Sequence, residues 1–465
     1  MQDDRYPESD VTESLVEAGP ASELAPITGA GLRVALQSRD LRLLWLGLVM
    51  SATGDSFLLV AMLTYLGSLT DSPLALAAFA ASLGLPTLLF GLFAGVFVDR
   101  FDRRLTMLAS DLVRAGAVLG LLFVNSIRDL PIAMLVAFVM GTAGVLFIPA
   151  RNALLPRLVP PTGLVAANML VESSQIISLV VGPALGGLFV ARFGPHAAVL
   201  ADSAGYCISA LAIFLISVRH VKVDAEPLTA PQLRDEMVSG LRYVREQPLL
   251  LRLIAAGGAS MLGLGAVIIL GVSHVETVFG VDPADFGALL SILGLGMVVG
   301  GALAATPYAH RYPSAFVIGG MLTLAASLAV FPFLDHLNPV LFTVFGIGLG
   351  LIASRSVIAA LIQMNVADDR RGRVESANNV TMAAAYNASF VATGLFGAVV
   401  GTQAAFLGAA IIVAVAGVLA FLAIRRRSPV AALVGADPPA VTPVSRPGPE
   451  SIEGSGATGG RGTGR

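Results

Sequence analysis

The chain has 465 residues, of which 55% are hydrophobic and only 13% are charged, and its formal net charge is −2. Soluble proteins carry about 25% charged residues, so this composition leaves little surface for contact with water. The near-zero net charge argues against a nucleic-acid partner, which needs a clustered basic surface. Cys207 is the only cysteine, which excludes an intramolecular disulfide and a multi-cysteine metal site.

The two ends of the chain are polar and predict disordered tails. Residues 1–37 are rich in Asp and Glu and poor in aromatic side chains, which is typical of an acidic disordered segment. They lack the basic start and the short apolar core of a signal peptide, so none is expected. Residues 426–465 are rich in Pro, Gly and Ser and predict a second disordered tail.

Twelve apolar runs lie between the tails, each close to the ~20 residues that a helix needs to cross the hydrocarbon. They predict spans 1 to 12 at 41–67, 74–98, 105–124, 131–150, 166–191, 195–218, 250–273, 285–307, 314–334, 339–362, 375–399 and 403–424. Six spans lie on each side of a polar interval, 219–247. The sequence therefore predicts an all-α membrane protein with two six-helix bundles, at 38–218 and 248–425.

The basic residues lie mainly in the loops that connect even-numbered spans to odd-numbered spans. Fourteen Arg and Lys residues lie in these loops, against two, Arg128 and Arg192, in the opposite loops. Loops rich in Arg and Lys stay on the cytoplasmic side of a membrane. We therefore expect a multi-pass protein of the cytoplasmic (inner) cell membrane, with both termini in the cytoplasm.

The polar interval 219–247 has a pattern of its own. Apolar residues such as Leu241 and Val244 alternate with charged residues such as Arg242 and Arg245 at helical spacing. This pattern favours a short amphipathic helix along the cytoplasmic face. A solvated linker with a frayed helix fits the same residues.

An apolar, glycine-spaced run ends abruptly in charge between spans 2 and 3, where the sequence reads GLFAGVFVDRFDRR. Gly91 and Gly95 are four residues apart and share a helix face that another backbone can approach closely. The charged residues that follow mark the end of the helix at water. These residues are Asp99, Arg100, Asp102, Arg103 and Arg104.

This loop resembles the signature between helices 2 and 3 of the major facilitator superfamily, in which a Gly precedes Asp-Arg and a basic cluster. Asp102 stands where the family usually has Gly. The resemblance implies a twelve-helix transporter fold and a gating role for the loop, as a latch that stabilises one state and breaks in the other. An ordinary basic loop is the alternative.

A shift of 210 residues aligns the two halves of the chain and predicts an internal repeat with two pseudo-symmetric bundles. The shift places Gly91 on Gly301, for example. The charged loop has no second copy, because Asp99 falls opposite Ala309. One copy of the repeat is therefore expected to be specialised.

Span 5 contains a proline among closely spaced glycines. Gly182, Pro183, Gly186 and Gly187 follow Ser178 in the order S-x-x-x-G-P-x-x-G-G. The proline removes a backbone hydrogen bond, and the glycines allow close packing. The pattern resembles the span 5 motif of the superfamily's antiporter branches, which begins with Gly, and this resemblance implies export. A kinked packing helix in a transporter of either direction is the alternative.

Three further segments narrow the resemblance. They read RNALLPRLVP from Arg151, DLVR from Asp111 and RGRV from Arg371. They look like the branch that includes bacterial enterobactin exporters and macrolide efflux proteins. The resemblance covers about residues 35–425, and the branch varies too widely in its substrates to name one here.

Ionisable residues within spans are costly and are therefore candidates for function. Asp55 lies in the middle of span 1, where an apolar environment favours a neutral carboxyl group and suits a proton-carrying site. A hydrogen-bonded or wetted Asp55 that does not titrate is the alternative. Glu172 in span 5 is the second candidate for proton coupling.

Asp111 and Arg114 lie three residues apart on span 3 and predict a charge network that holds spans 2, 3 and 4 together. Contact with the substrate is the alternative for this pair. Other polar residues in the spans are candidates for the wall of a substrate cavity. These are Gln175 in span 5, Asp202 in span 6, where a solvated position near the outer rim is expected, Arg355 in span 10 and Asn387 in span 11.

No catalytic pattern occurs in the sequence. There is no G-x-x-x-x-G-K-[ST] phosphate-binding loop, and the five histidines have no metal-ligand spacing. We expect neither an enzyme nor a cofactor or a bound metal. The expected partners are a small-molecule substrate, protons and the lipid bilayer, and the expected state is a monomer.

The features together predict a secondary transporter that exports a small amphipathic compound, such as a drug or a siderophore, against proton entry. Two alternatives stay open at this point. One is a proton-coupled importer of a small solute, and the other is a receptor or regulator that keeps the fold without transport.

Overall fold

A computed structural model describes residues 36–70, 72–217, 230–280, 283–366 and 370–427. Within these ranges the chain is helical without a strand, and twelve helices are long and apolar enough to cross a membrane. The predicted fold class is confirmed. Both predicted tails lie almost entirely outside the described residues.

The first bundle consists of six spanning helices: α1 (Arg39–Leu69), α2 (Pro73–Arg100), α3 (Arg103–Val118), α4 (Leu130–Leu154), α5 (Leu164–Phe193) and α6 (Pro195–Phe214). Short polar side chains cap two of them. Ser38 accepts a hydrogen bond from the backbone of Leu41 at 3.2 Å, and Asp102 accepts one from Leu105 at 2.9 Å. Both caps satisfy a backbone donor that a helix start leaves free.

The second bundle consists of α7 (Pro248–Phe279), α8 (Pro283–Ala304), α9 (Pro313–Val330), α10 (Leu337–Met364), α11 (Arg371–Val400) and α12 (Thr402–Arg427). Its helices repeat the order of the first bundle. Pro73 and Pro283 begin α2 and α8 and lie one 210-residue repeat apart. Gly194 and Gly401, with φ of 82° and 85°, end α5 and α11 in the left-handed region that glycine tolerates.

The polar interval between the bundles contains a helix, Ala230–Glu246, which we call the linker helix. It packs against α11, where Gly240 lies so close to the backbone carbonyl of Arg373 that a β-carbon would not fit between them. Val244 faces inward and is buried. The helical form of the interval therefore agrees with the amphipathic pattern in its sequence.

We call the end of the molecule that carries Arg103, Arg151 and Arg373 the basic end, and the other the non-basic end. The two bundles contact each other mainly through α5 with α8 and through α2 with α11. The closest of these contacts lie toward the non-basic end. A β-carbon at Gly187 would lie 3.1 Å from the Cα atom of Gly287.

A similar glycine contact joins α11 and α2 on the opposite side of the molecule. A β-carbon at Gly394 of α11 would lie 3.0 Å from the carbonyl oxygen of Pro73 at the start of α2. Ser291 of α8 also accepts a hydrogen bond from the backbone of Ala184 in α5 at 2.8 Å. Two glycine contacts and a cross-bundle hydrogen bond thus hold the bundles together toward the non-basic end.

The first prediction concerns this contact. Gly287→Leu places a branched side chain against Gly187 and the carbonyl of Pro183, so we expect an overpacking cost of about 1–3 kcal/mol. Gly319→Leu is the matched control, because a β-carbon there meets no atom within 4 Å. Thermal unfolding in detergent should show a lower Tm for Gly287→Leu alone. Equal Tm values for the two variants would contradict the contact.

Candidate functional site

A cavity of about 1040 Å³ lies between the two bundles. Its wall is mainly apolar and includes aromatic side chains from both bundles, among them Phe79, Phe147, Tyr386 and Phe390. Toward the basic end the lining includes Arg151, Asn152 and Ser376. Because the close contacts between the bundles lie toward the non-basic end and the lining reaches Arg151 at the basic end, we infer that the cavity opens at the basic end.

Asp55 contributes a carboxyl group to the cavity wall. It lies in the middle of α1, is exposed within the cavity, and accepts a hydrogen bond from the hydroxyl group of Tyr206 on α6. Tyr206 is itself 1% exposed. A carboxyl group that meets water on one side and a buried hydroxyl on the other can bind or release a proton without leaving the protein interior.

Arg114 connects this carboxyl group to α3 and α4. Its guanidinium donates a hydrogen bond to Asp111 one turn earlier on α3, and both residues are buried. It also lies 4.5 Å from the ring centroid of Tyr206 and 4.7 Å from that of Phe147. Two aromatic faces and one carboxylate therefore replace the water that a buried cation loses.

The described contacts of Asp111 and Arg114 join partly different helices from those predicted. The sequence placed Asp111 and Arg114 in a network with spans 2, 3 and 4. In the structure their contacts join α3 to α4 and α6, and through Tyr206 to Asp55 of α1. The difference arises because Arg114 reaches across the bundle to buried aromatic rings, which charge spacing alone does not indicate.

Asp202 also departs from its expected position. It was expected to be solvated at the outer rim, yet its side chain is wholly buried and neither carboxyl oxygen has a hydrogen-bond partner. The helix α1 covers it, because Gly54 leaves room for the carboxyl group. Asp202 is absent from the cavity lining.

The remaining cavity candidates separate into two groups. Gln175 lines the cavity. Arg355 and Asn387 are not among its lining residues: Arg355 lies 4.0 Å from the sulfur of Met261, and Asn387 is buried and hydrogen-bonds the backbone of α11. Glu172 is exposed outside the lining, within electrostatic reach of Arg151.

The loop between α2 and α3 makes several contacts at the basic end. Arg103 donates a hydrogen bond to the carbonyl of Ala153 at the end of α4 at 3.1 Å. Arg104 donates to the carbonyls of Ile213, at 3.0 Å, and Phe214 at the end of α6. Arg100 is exposed. The loop thus ties the ends of three helices together, and the side chain of Asp99 lies outside the described residues.

The glycine face before this loop is not a close packing surface here. Gly91 and Gly95 line the cavity, and a β-carbon at Gly95 would meet no atom within 4 Å. The sequence predicted that another backbone approaches this face. In this conformation the space beside it belongs to the cavity.

The glycines of α5 do pack closely. A β-carbon at Gly186 would lie 2.9 Å from the Cα atom of Phe57 on α1, and one at Gly182 would lie 2.6 Å from Ser56. The hydroxyl of Ser178, which replaces the first glycine of the motif, donates to the carbonyl of Ala52 and lies 2.8 Å from the hydroxyl of Ser56. The motif therefore packs α5 closely against α1, the helix that carries Asp55.

Two features of the site were missed by sequence reasoning. The aromatic contacts of Arg114 involve residues of α4 and α6, and the aromatic pair Tyr386 and Phe390 of α11 completes the cavity wall. The four-residue spacing of that pair was a usable signal, since it places both rings on one helix face. The other residues of the wall could not be predicted, because they depend on which helix faces of the two bundles lie opposite each other.

The second prediction concerns Arg114. Arg114→Met leaves Asp111 as a buried carboxylate without its cation, so we expect a loss of about 3–5 kcal/mol of stability. Asp111→Asn in the same chain removes that charge and should restore part of the loss. Unfolding of both single variants and the double variant measures the coupling. Strictly additive losses would show that the pair does not interact.

A family model and several known proteins are similar to this chain. A family model described as Major Facilitator Superfamily matches residues 44–386 and 253–450. Macrolide efflux protein A of Streptococcus pyogenes is 26% identical over 369 residues, which cover 78% of this chain and 91% of that protein. Multidrug efflux pump Tap of Mycobacterium tuberculosis is 27% identical over 387 residues, which cover 80% and 90% of the two chains.

Solved structures show the same fold at lower identity. A bacterial homologue of the human lysosomal transporter Spinster, in an inward-facing and unoccupied conformation, superposes with a TM-score of 0.68 at 14% identity, covering 84% of this chain and 97% of that one. The nucleoside transporter NupG superposes with a TM-score of 0.65 at 12% identity, covering 83% and 98%. The chain belongs to the Major Facilitator Superfamily and is a multi-pass membrane transporter with relatives among efflux pumps.

Proposed function

We propose that the protein exports a small amphipathic compound from the cytoplasm in exchange for protons, by alternating access. The observation that carries this proposal is the mainly apolar cavity between the bundles with the Asp55 carboxyl group in its wall. The cavity is formed within one chain, so the proposed working unit is a monomer. The two bundles would rock about the contacts of α5 with α8 and of α2 with α11.

The proposed substrate class follows from the cavity wall. The volume of about 1040 Å³ is at the upper end of the range for drug-sized ligands. Apolar and aromatic side chains dominate the lining, with Asp55, Arg114 and Arg151 as its charged groups. An amphipathic molecule can place its apolar part on the rings and its polar part near these charges. The macrolide and multidrug efflux relatives support this class.

The proposed orientation places the basic end in the cytoplasm, because Arg-rich loops remain on that side of the cell membrane. The conformation described is then open to the cytoplasm and closed toward the outside, which is the state in which an exporter takes up its substrate. Both termini would lie in the cytoplasm.

Asp55 is the proposed proton carrier. An ionised carboxyl group at membrane depth costs at least ~2.5–3.5 kcal/mol unless water or a partner stabilises it. The cavity supplies that water only while it is open, so closing the cavity favours the neutral acid. Proton binding and the conformational change are therefore linked at this residue.

Export is favoured over the two alternatives by specific features. An importer would use the same cavity, but the relatives named above are efflux proteins. A receptor without transport would not need a carboxyl group inside a wetted cavity.

Cells that express the chain should accumulate less erythromycin and less ethidium than control cells, and a proton uncoupler should abolish the difference. Equal accumulation, or higher accumulation in expressing cells, would contradict export.

The third prediction concerns the coupling residue. Asp55→Asn mimics the protonated acid and keeps a group that can accept the hydrogen bond of Tyr206, so it should fold. In vesicles with an inward proton gradient, uphill export of erythromycin should fall by roughly tenfold or more, the scale of losing a proton-transfer group. Downhill exchange of erythromycin should remain.

Asp335→Asn is the matched control, since that carboxyl group is exposed between α9 and α10 and, among the described residues, contacts the neighbouring His336 ring. It should export as the parent does. Gradient-driven export by Asp55→Asn at the parent rate would assign coupling elsewhere, and Glu172→Gln would be the next variant.

The fourth prediction concerns the proposed latch between α2 and α3. Asp99→Asn should impair transport strongly, because Asp99 holds the acidic position of the family signature. Asp102→Asn should transport nearly as the parent does, because Asn is as good a helix cap as the Asp that now accepts from Leu105. Transport rates in vesicles compare the two variants. Equal rates would reduce the loop to a basic connection.

A further inference from the structure

The carboxyl group of Asp202 lies in a closed slot between α6 and α1. The residue is 0% exposed, and both carboxyl oxygens lack a hydrogen-bond partner. Gly54 forms the opposite wall of the slot, since a β-carbon there would lie 2.5 Å from Oδ1 of Asp202 and 3.0 Å from its Cα atom. No larger residue at position 54 leaves room for this carboxyl group.

The charged and titratable groups around the slot are engaged elsewhere. Asp55 of α1 and Arg114 of α3 act on Asp202 electrostatically. Arg114 donates its hydrogen bond to Asp111, and Tyr206, one turn further along α6, donates to Asp55. An ionised Asp202 would thus be a second uncompensated negative charge beside Asp55, without water to solvate it.

We propose that Asp202 is a second proton-binding site, and that the proton it holds favours the conformation open at the basic end. Its ionised form then belongs to the opposite conformation, where water would have to reach the slot to solvate the charge. Protonation there converts the carboxylate to the neutral acid, which this conformation accepts. The place of this step in a transport cycle rests on the proposed function.

The positions of the two carboxyl groups give the two ends of the proposed proton route. Asp202 lies one turn nearer the non-basic end than Tyr206, whereas Asp55 faces the cavity. Transfer from Asp202 to the carboxylate of Asp55 needs a rearrangement, since neither oxygen of Asp202 has a hydrogen-bond partner here, and Asp55 would then release the proton to water in the cavity. Asp202 is left ionised, and the buried charge drives the return to the opposite conformation.

The test measures conformation without substrate. Spin labels on Thr162→Cys and Asn365→Cys, two exposed positions at the basic end of the two bundles, report the opening there once Cys207 is replaced by Ser. The labelled parent in lipid nanodiscs should show long distances in mildly acidic buffer and a shift to shorter distances in mildly alkaline buffer. Asp202→Asn should show the long distances in both buffers.

Two further variants make the result specific. Ser203→Ala removes a buried hydroxyl group of α6 that donates to the carbonyl of Ala115 and does not ionise in this pH range, so its distances should shift with pH as in the parent. Asp55→Asn fixes that carboxyl position in its neutral form, which favours the closed cavity, so its distances should be shorter than those of the parent at equal pH. They should still lengthen in acidic buffer, because Asp202 is intact. A parent without a pH-dependent shift, or an Asp202→Asn variant that shifts as the parent does, would overturn the proposal.

The outcome is independent of the proposed function. If vesicles of the parent show no gradient-driven export while the labels shift with pH through Asp202, the transport proposal fails and the proton site stands. If export is driven by the gradient and the labels of Asp202→Asn still shift, the proton site fails and the transport proposal stands.

Discussion

A guanidinium group at membrane depth has to be neutralised by the protein itself, and the first bundle is arranged around that constraint. Arg114 is satisfied by the Asp111 carboxylate and by two aromatic faces, so α3, α4 and α6 are held in one arrangement. Its charge also acts on Asp55 and Asp202. One cation shared among three carboxyl groups leaves negative charge that protons can neutralise and water in the cavity can solvate. The site is therefore sensitive both to pH and to conformation.

The second bundle repeats the helices of the first without its charges. The positions 210 residues after Asp55, Asp111 and Arg114 hold Gly265, Met321 and Leu324, so the symmetry-related region is apolar. The packing between the bundles, in contrast, keeps the symmetry, because glycine contacts at α5 with α8 and at α2 with α11 recur on both sides. The repeat thus conserves the hinge-like contacts while the proton chemistry is concentrated in one half.

The sequence was sufficient for the fold and for part of the site. Twelve apolar runs of suitable length specified the spanning helices, and the motif at Asp99 identified the family, because hydrocarbon thickness and charge cost act locally along the chain. The burial of Asp202 could not be predicted, since it depends on Gly54 of another helix. The glycine face at Gly91 and Gly95 was expected to pack closely but borders the cavity, because the conformation decides which faces meet.

The central claim is that substrate and proton move in opposite directions through one cavity. Vesicles that contain the parent protein and a trapped pH-sensitive dye test it directly, when an outward gradient of erythromycin is imposed without any initial pH difference. The account predicts that the interior acidifies as the macrolide leaves, with a rate that depends on the amount of protein. Release of erythromycin without proton movement, or alkalinisation of the interior, would contradict it.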